Sequence, residues 1–295
     1  MMSKSLTAVL AIHSYFTCLP GELSAARRDM DGDLDGLCDR LAAYVDEPEN
    51  HIEFAAALQL LRDRDRVRVL SIDETFTTIR IDSVLTFTFV GLRTDLTSER
   101  VMKLDLVDVA SAATRGVTLN KSATAARIAA LRDEFDAAGA CDVVFNGFSR
   151  GGLRAIEMFL STALVDARVS VVTFNCFVWP AALERILSVV GSLPDVVARM
   201  LHRRVHGDIG LGHKLPGEFE ELPAPTLPSG ASKIDRIKAA HTIVNALPPL
   251  RRELESVAAF ERSLDLSFAP ILDSNVLYHI GVASFRERVA ALFRR

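Results

Sequence analysis

The sequence predicts an α/β protein, a mostly parallel sheet flanked by helices. The first observation behind this is alternation. Residues 143–145 and 169–174 read as apolar strands and 204–206 as a further short one, separated by amphipathic helical stretches at 153–164 and 181–200. Strands alternating with helices of that length require crossovers, which give parallel pairing with right-handed connections. The second is period-two patterning ahead of that region. Residues 67–72, 75–81 and 84–90 read as three successive strands, the last alternating Leu85, Phe87 and Phe89 with Thr86 and Thr88. The third is bulk composition: 295 residues, 49% hydrophobic and 24% charged, enough chain and apolar matter for one sizeable core.

Taken in order, residues 6–12 form an apolar run that reads as a first strand. A signal-peptide reading is spoiled by His13 and Ser14 within the stretch, so the expected location is the cytoplasm, or export by a route without an N-terminal signal. Residues 51–64 place Phe54, Ala57, Leu58 and Leu61 on one helical stripe, and residues 121–138 do the same with Ile128, Leu131 and Phe135 before the stop at Gly139. Residues 214–232 look irregular, with Pro216, Pro223, Pro225 and Pro228. Helical patterns follow at about 232–246, 250–264 and 281–293. The expected organisation is a single domain over residues 1–295, with residues 214–265 a loop and helical cap. Ile234, Ile237, Ile243, Val244 and Leu247 give that cap apolar surface, to pack on the body or to face lipid in a peripheral membrane contact.

Charge and cysteine content exclude several classes. Lys and Arg total 34 against 38 Asp and Glu, a net charge of −4, so nothing favours a nucleic-acid partner. Cys18, Cys38, Cys141 and Cys176 are scattered without a C-x-x-C pair, which excludes a zinc ribbon and argues against a disulfide framework.

The chemistry is concentrated in Gly147-Phe148-Ser149-Arg150-Gly151, a G-x-S-x-G pentapeptide between an apolar strand and an amphipathic helix. That context is the one a nucleophile elbow requires. The serine takes a strained backbone conformation that lifts its hydroxyl clear of the sheet, and small neighbours let strand and helix approach. The Arg150 amide then faces the developing oxyanion at the helix N-terminus. Its side chain is open to a substrate phosphate, to snorkelling over the helix, or to a bridge with Asp or Glu.

A serine needs a base, itself oriented by a carboxylate, in the chain order Ser, acid, His. The turn after strand 169–174 runs Asn175-Cys-Phe-Val-Trp-Pro and holds no carboxylate, whereas the glycine-rich turn after residues 204–206 offers Asp208. Three histidines follow that acid. His213 is only five residues on, His241 sits within a helical pattern, and His279 lies in a loop before the last helix. His279 is the expected base.

With those residues in place, a resemblance emerges. Gly147–Gly151 resembles the G-F-S-R-G-A elbow of the α/β-hydrolase family that includes type VI secretion phospholipase effectors. Val205-His-Gly-Asp-Ile-Gly-Leu-Gly is similar to that family's V-H-S-D-[VI]-G-G-G segment, which places Asp208 on its aspartate. Tyr278-His-Ile-Gly-Val-Ala-Ser-Phe-Arg286 is a looser likeness to its H-P-S-V-x-x-R segment, one residue longer, and places His279 on the histidine. The family's W-D-T-V is here Trp179-Pro180, and its N-terminal D-G-T is missing. Phe89-Val-Gly-Leu-Arg-Thr94 resembles the F-R-G-T turn of class 3 triacylglycerol lipases, and Arg204-Val-His-Gly-Asp-Ile their R-V-x-H-x-x-D segment, again selecting Asp208. Both families imply a second oxyanion donor near this turn, from Gly91, Leu92 or Thr94, with Thr94 favoured.

The expected function is therefore hydrolysis of carboxylic esters, of lipids above all, by Ser149, Asp208 and His279, with Arg150 and Thr94 in the oxyanion hole. No cofactor or metal is called for by this chemistry. Asp31, Asp33, Asp35, Gly36 and Asp39 have calcium-loop spacing, but Ala42 stands where the bidentate carboxylate belongs, so a solvated acidic turn competes with a calcium site. The competing reading from another class is a catalytically inactive binding or scaffold protein that retains the elbow.

Overall fold

A computed structural model of the chain describes residues 2–18, 30–91, 107–108, 110–118, 121–137, 139–208, 212–224, 229–230, 236, 240–241 and 243–249. Seven strands form one sheet in sequential order: β1 (Val67–Ile72), β2 (Phe76–Ile81), β3 (Val84–Phe89), β4 (Asp142–Phe148), β5 (Val169–Phe174), β6 (Met200–Val205) and β7 (Glu218–Leu222). The first three pair antiparallel, and every pair from β3 to β7 is parallel. The β2–β3 connection is only Asp82 and Ser83, with Asp82 at φ 50°, the left-handed geometry a two-residue hairpin needs.

Sequential order dictates where the helices go. If each crossover has the same hand, every crossover helix falls on one face of the sheet. That face carries α4 (Lys121–Phe135), α5 (Arg150–Thr162), α6 (Pro180–Val190) and α7 (Pro194–Val197), packed on Leu85, Phe87, Phe89, Phe145 and Val171. Phe87 stacks on Phe145 with centroids 5.5 Å apart, and Phe76 leans on Phe89 at 5.4 Å. The opposite face is left to the N-terminal helices α1 (Lys4–Thr17), α2 (Met30–Tyr44) and α3 (Ile52–Leu61), which cover Ile79, Val144, Val172 and Leu201. Helices on both faces explain why β4 and β5 read as nearly continuous apolar runs.

Residues 6–12, expected as a strand, instead lie within helix α1. Ser3 caps it, its hydroxyl accepting from the Leu6 amide at 3.2 Å. Ala8 through Ile12 are fully buried, so the helix is apolar all round and its periodicity is erased; a short buried run then looks alike as helix or strand. Where α1 meets the sheet, the sheet turns polar. Asn146 Nδ2 donates to the Thr7 carbonyl at 2.8 Å, and Arg203 Nη1 to the Thr7 hydroxyl at 2.7 Å.

Three further expectations change. The acidic stretch forms part of α2 from residue 30 onward, where alternate residues diverge around the axis, rather than a turn before a helix. The helix expected over 181–200 breaks into α6 and α7 at Gly191 and Pro194, and Met200 already belongs to β6. Residues 214–232, expected to be irregular, contribute the edge strand β7. The patterns at 250–264 and 281–293 lie outside the described residues. No helix among the described residues is long and apolar enough to cross a membrane. Cys18, Cys38 and Cys176 are buried and Cys141 is half-buried, with burial pushing the Cys38 thiol up to about 12.

His202 on β6 carries a pH dependence. Its Nε2 lies 3.0 Å from the Pro216 carbonyl and its Nδ1 2.8 Å from the Thr173 hydroxyl. A carbonyl only accepts, so Nε2 holds the proton and Nδ1 accepts from Thr173. Burial pushes this imidazole down to about 4. The unfolded chain takes up a proton near 6.5 and the native one only near 4, so the stabilisation is present above pH 6.5 and is lost as pH falls toward 4. The span corresponds to on the order of 3 kcal/mol. Denaturant titrations of His202→Gln are expected to show a flatter fall in stability across that window than wild type; parallel slopes would remove His202 as the cause.

Candidate active site

The turn from β4 into α5 is built around Ser149, which stands at φ 55°, ψ −123°. A non-glycine residue held there is strained, and the surroundings hold it. Its amide donates to the Phe174 carbonyl at 3.0 Å, while its own carbonyl accepts from the Gly152 and Phe177 amides at 3.1 and 3.2 Å. Glycine is compulsory on both sides. A side chain at Gly147 would run into the Gly151 backbone, and one at Gly151 into the Phe89 carbonyl. Helix, elbow and neighbouring strand are thus pressed together at the C-terminal edge of the sheet, with the serine hydroxyl at their junction.

That hydroxyl meets His241. Ser149 Oγ lies 2.8 Å from His241 Nε2, and His241 Nδ1 lies 2.6 Å from Asp208 Oδ1. The base position expected for His279 is therefore occupied by His241; His279 itself lies outside the described residues. The helical pattern at 232–246 concealed this, because His241 sits in a turn just ahead of a short 3-10 turn, Ile243–Ala246. Ile243 and Ala246 are buried in the core they share with α1, which anchors the histidine's segment to the body. The order Ser149, Asp208, His241 still meets the expected sequence of nucleophile, acid and base.

Asp208 lies where expected, beyond the end of β6, with 6% of its surface exposed. Its amide donates to the Val205 carbonyl at 3.1 Å, and the Arg204 guanidinium approaches both its backbone carbonyl and its Oδ2, the latter at 4.0 Å. A carboxylate only accepts, so His241 Nδ1 carries the ring proton and Nε2 is left to accept from Ser149. The network therefore selects the base-competent tautomer.

Arg150 divides in two. As the first residue of α5 its amide stands ahead of the helix's own ladder, where an oxyanion donor belongs. Its side chain, 2% exposed, turns inward to Asp108 at 3.1 Å and to the Gly91 carbonyl at 3.1 Å; Arg154 shares the same Asp108 at 2.9 Å. Of the roles open to it in sequence, the structure selects the internal bridge. A buried carboxylate between two guanidiniums is a demanding arrangement, and removing one partner from such a group characteristically costs about 3–5 kcal/mol. Its geometric effect is to tie the elbow to the end of β3, where the second oxyanion donor was expected. Gly91 is described and buried there; Thr94 and Leu92 lie outside the described residues.

Aromatic rings border the histidine. Phe148 lies 5.4 Å from it, and Phe177 meets it edge-on at 6.5 Å while packing on Trp179 at 4.5 Å. Among the described residues no group of three or more His, Cys, Asp or Glu is arranged to hold a metal ion. No model of a known protein family matches the chain, and neither does any curated protein sequence; the chemistry of the site rests on its own geometry.

Proposed function

We propose that this chain is a serine hydrolase of α/β-hydrolase fold that cleaves carboxylic esters, of lipids above all, through an acyl-enzyme. The observation that carries the proposal is the continuous relay from Ser149 through His241 to Asp208, at 2.8 and 2.6 Å, with the serine on a strained strand-to-helix turn. A structural serine needs neither the strain nor the base.

In the proposed reaction Ser149 Oγ attacks the acyl carbon and His241 Nε2 takes its proton. Asp208 stabilises the imidazolium that forms, and the Arg150 amide stabilises the tetrahedral oxyanion. His241 then protonates the departing alcohol. Water attacks the acyl-enzyme with His241 again as base, which frees the acid and restores the serine. The lipid preference is supported by the likeness of residues 147–151 and 205–212 to the phospholipase effectors, and by the half-buried Phe177 ring beside the base.

A fluorophosphonate probe tests this directly, because it forms a stable adduct only with an activated serine. Wild-type protein is expected to label at Ser149, located by peptide mass spectrometry, and folded Ser149→Ala to remain unlabelled. A folded wild type that takes no label would favour the inactive binding or scaffold reading.

A further inference from the structure

The end of β5, one of the two strand ends where chain order allows the catalytic acid, carries an asparagine. Asn175 is 3% exposed and stands at φ 43°, a left-handed conformation that asparagine tolerates better than most residues. Each end of its amide is used. Its Oδ1 accepts from the Val205 amide at 2.8 Å, and its Nδ2 donates to the Ala240 carbonyl at 2.9 Å. Its backbone amide donates to the Arg203 carbonyl at 2.8 Å.

These partners are not arbitrary points of the fold. Ala240 immediately precedes His241. Val205 ends β6, and its carbonyl receives the Asp208 amide. On either side of Asn175, the Phe174 carbonyl and the Phe177 amide hold the two ends of the Ser149 backbone. One four-residue segment therefore bonds the Ser149 backbone directly and reaches the turns of Asp208 and His241 through Val205 and Ala240, and within it the Asn175 side chain spans from the acid's turn to the base's turn.

We infer that Asn175 is a positioning residue that sets the His241 ring against Asp208 and Ser149 by clamping the Ala240 carbonyl to the Val205 amide. The inference rests on the hydrolase reading for its kinetic consequences but not for its geometry. A carboxamide supplies an acceptor and a donor from one short side chain. Aspartate retains the acceptor, loses the donor, and adds a second buried carboxylate near Asp208. Because the reacting groups must be held within a fraction of an ångström, freeing the base's turn is expected to slow chemistry rather than binding.

Two variants test it. Asn175→Gly removes the clamp while permitting φ 43°, and Asn175→Asp keeps the acceptor toward Val205 but puts a carboxylate oxygen in place of the donor toward Ala240. Both are expected to lower kcat on a chromogenic ester and the fluorophosphonate labelling rate by about 100-fold, with KM changed little. In 15N-histidine-labelled protein, the downfield Nδ1 proton shared by His241 and Asp208 is expected in wild type and to broaden or vanish in both variants. Thermal unfolding of each variant shows that the folded fraction is retained at the assay temperature. If folded variants keep the wild-type labelling rate and proton resonance, the inference is overturned. If wild type fails to label yet its resonance still depends on Asn175, the hydrolase reading fails and the positioning role stands.

Discussion

His241→Ala is expected to lower kcat for ester hydrolysis by about 10⁶-fold, whereas His279→Ala is expected to leave it close to wild type. The large figure follows from what the imidazole does in both half-reactions. Without it the Ser149 proton loses the acceptor 2.8 Å away, the leaving alcohol its donor, and the deacylating water its base. Groups that act as one unit fail as one unit, so Ser149→Ala combined with His241→Ala is expected to cost no more than either change alone. The contrast with His279 comes from the 2.8 Å and 2.6 Å contacts already made by His241, which leave no base position for a second ring to fill. Rates on a short chromogenic ester, with thermal unfolding as the control for folding, decide it. A severe His279→Ala beside a mild His241→Ala would return the base to the looser sequence likeness around residue 279.

How much of this was legible beforehand depends on whether the signal was local. The central strands were readable because sheet residues such as Leu85, Phe87 and Phe89 alternate with threonines, and because β4 and β5 are largely apolar runs. The elbow was readable for a local reason too: strand, glycine, serine, glycine and helix are contiguous, and their steric demands fall on neighbours. Asp208 was singled out because only one of the two candidate strand ends carried a carboxylate. Helix α1 was missed because complete burial leaves an apolar run with no period. Strand β7 was missed because Glu218, Phe219, Glu220 and Glu221 lie on the sheet's edge, largely exposed, beside four prolines that signal a loop. The histidine that contacts Ser149 was not singled out because that contact is tertiary. Three histidines satisfied the chain order, and the one that reaches Ser149 is set by where Ile243 and Ala246 bury against α1 and by the Asn175 clamp, neither of which leaves a mark on local pattern.

Asp208→Asn is expected to cost about four orders of magnitude in kcat with little loss of stability. The two side chains are nearly isosteric, so the turn after β6, held by the Asp208 amide on the Val205 carbonyl, is expected to persist. What changes is the direction of one hydrogen bond. The Arg204 guanidinium, 4.0 Å from Oδ2, favours an amide whose carbonyl oxygen faces the arginine, and this turns the amino group toward His241. The imidazole must then accept at Nδ1 and carry its proton at Nε2, where it donates to Ser149 instead of accepting from it. The relay remains connected but runs backwards, and the imidazolium loses its counter-charge. Asp273, the nearest carboxylate before His279, gives the comparison: Asp273→Asn is expected to leave turnover near wild type. Steady-state rates of both variants, with the His241 ring tautomer read from its 15N shifts, check rate and cause together. An Asp208→Asn enzyme within tenfold of wild type, or one whose His241 still carries its proton at Nδ1, would remove Asp208 from the relay.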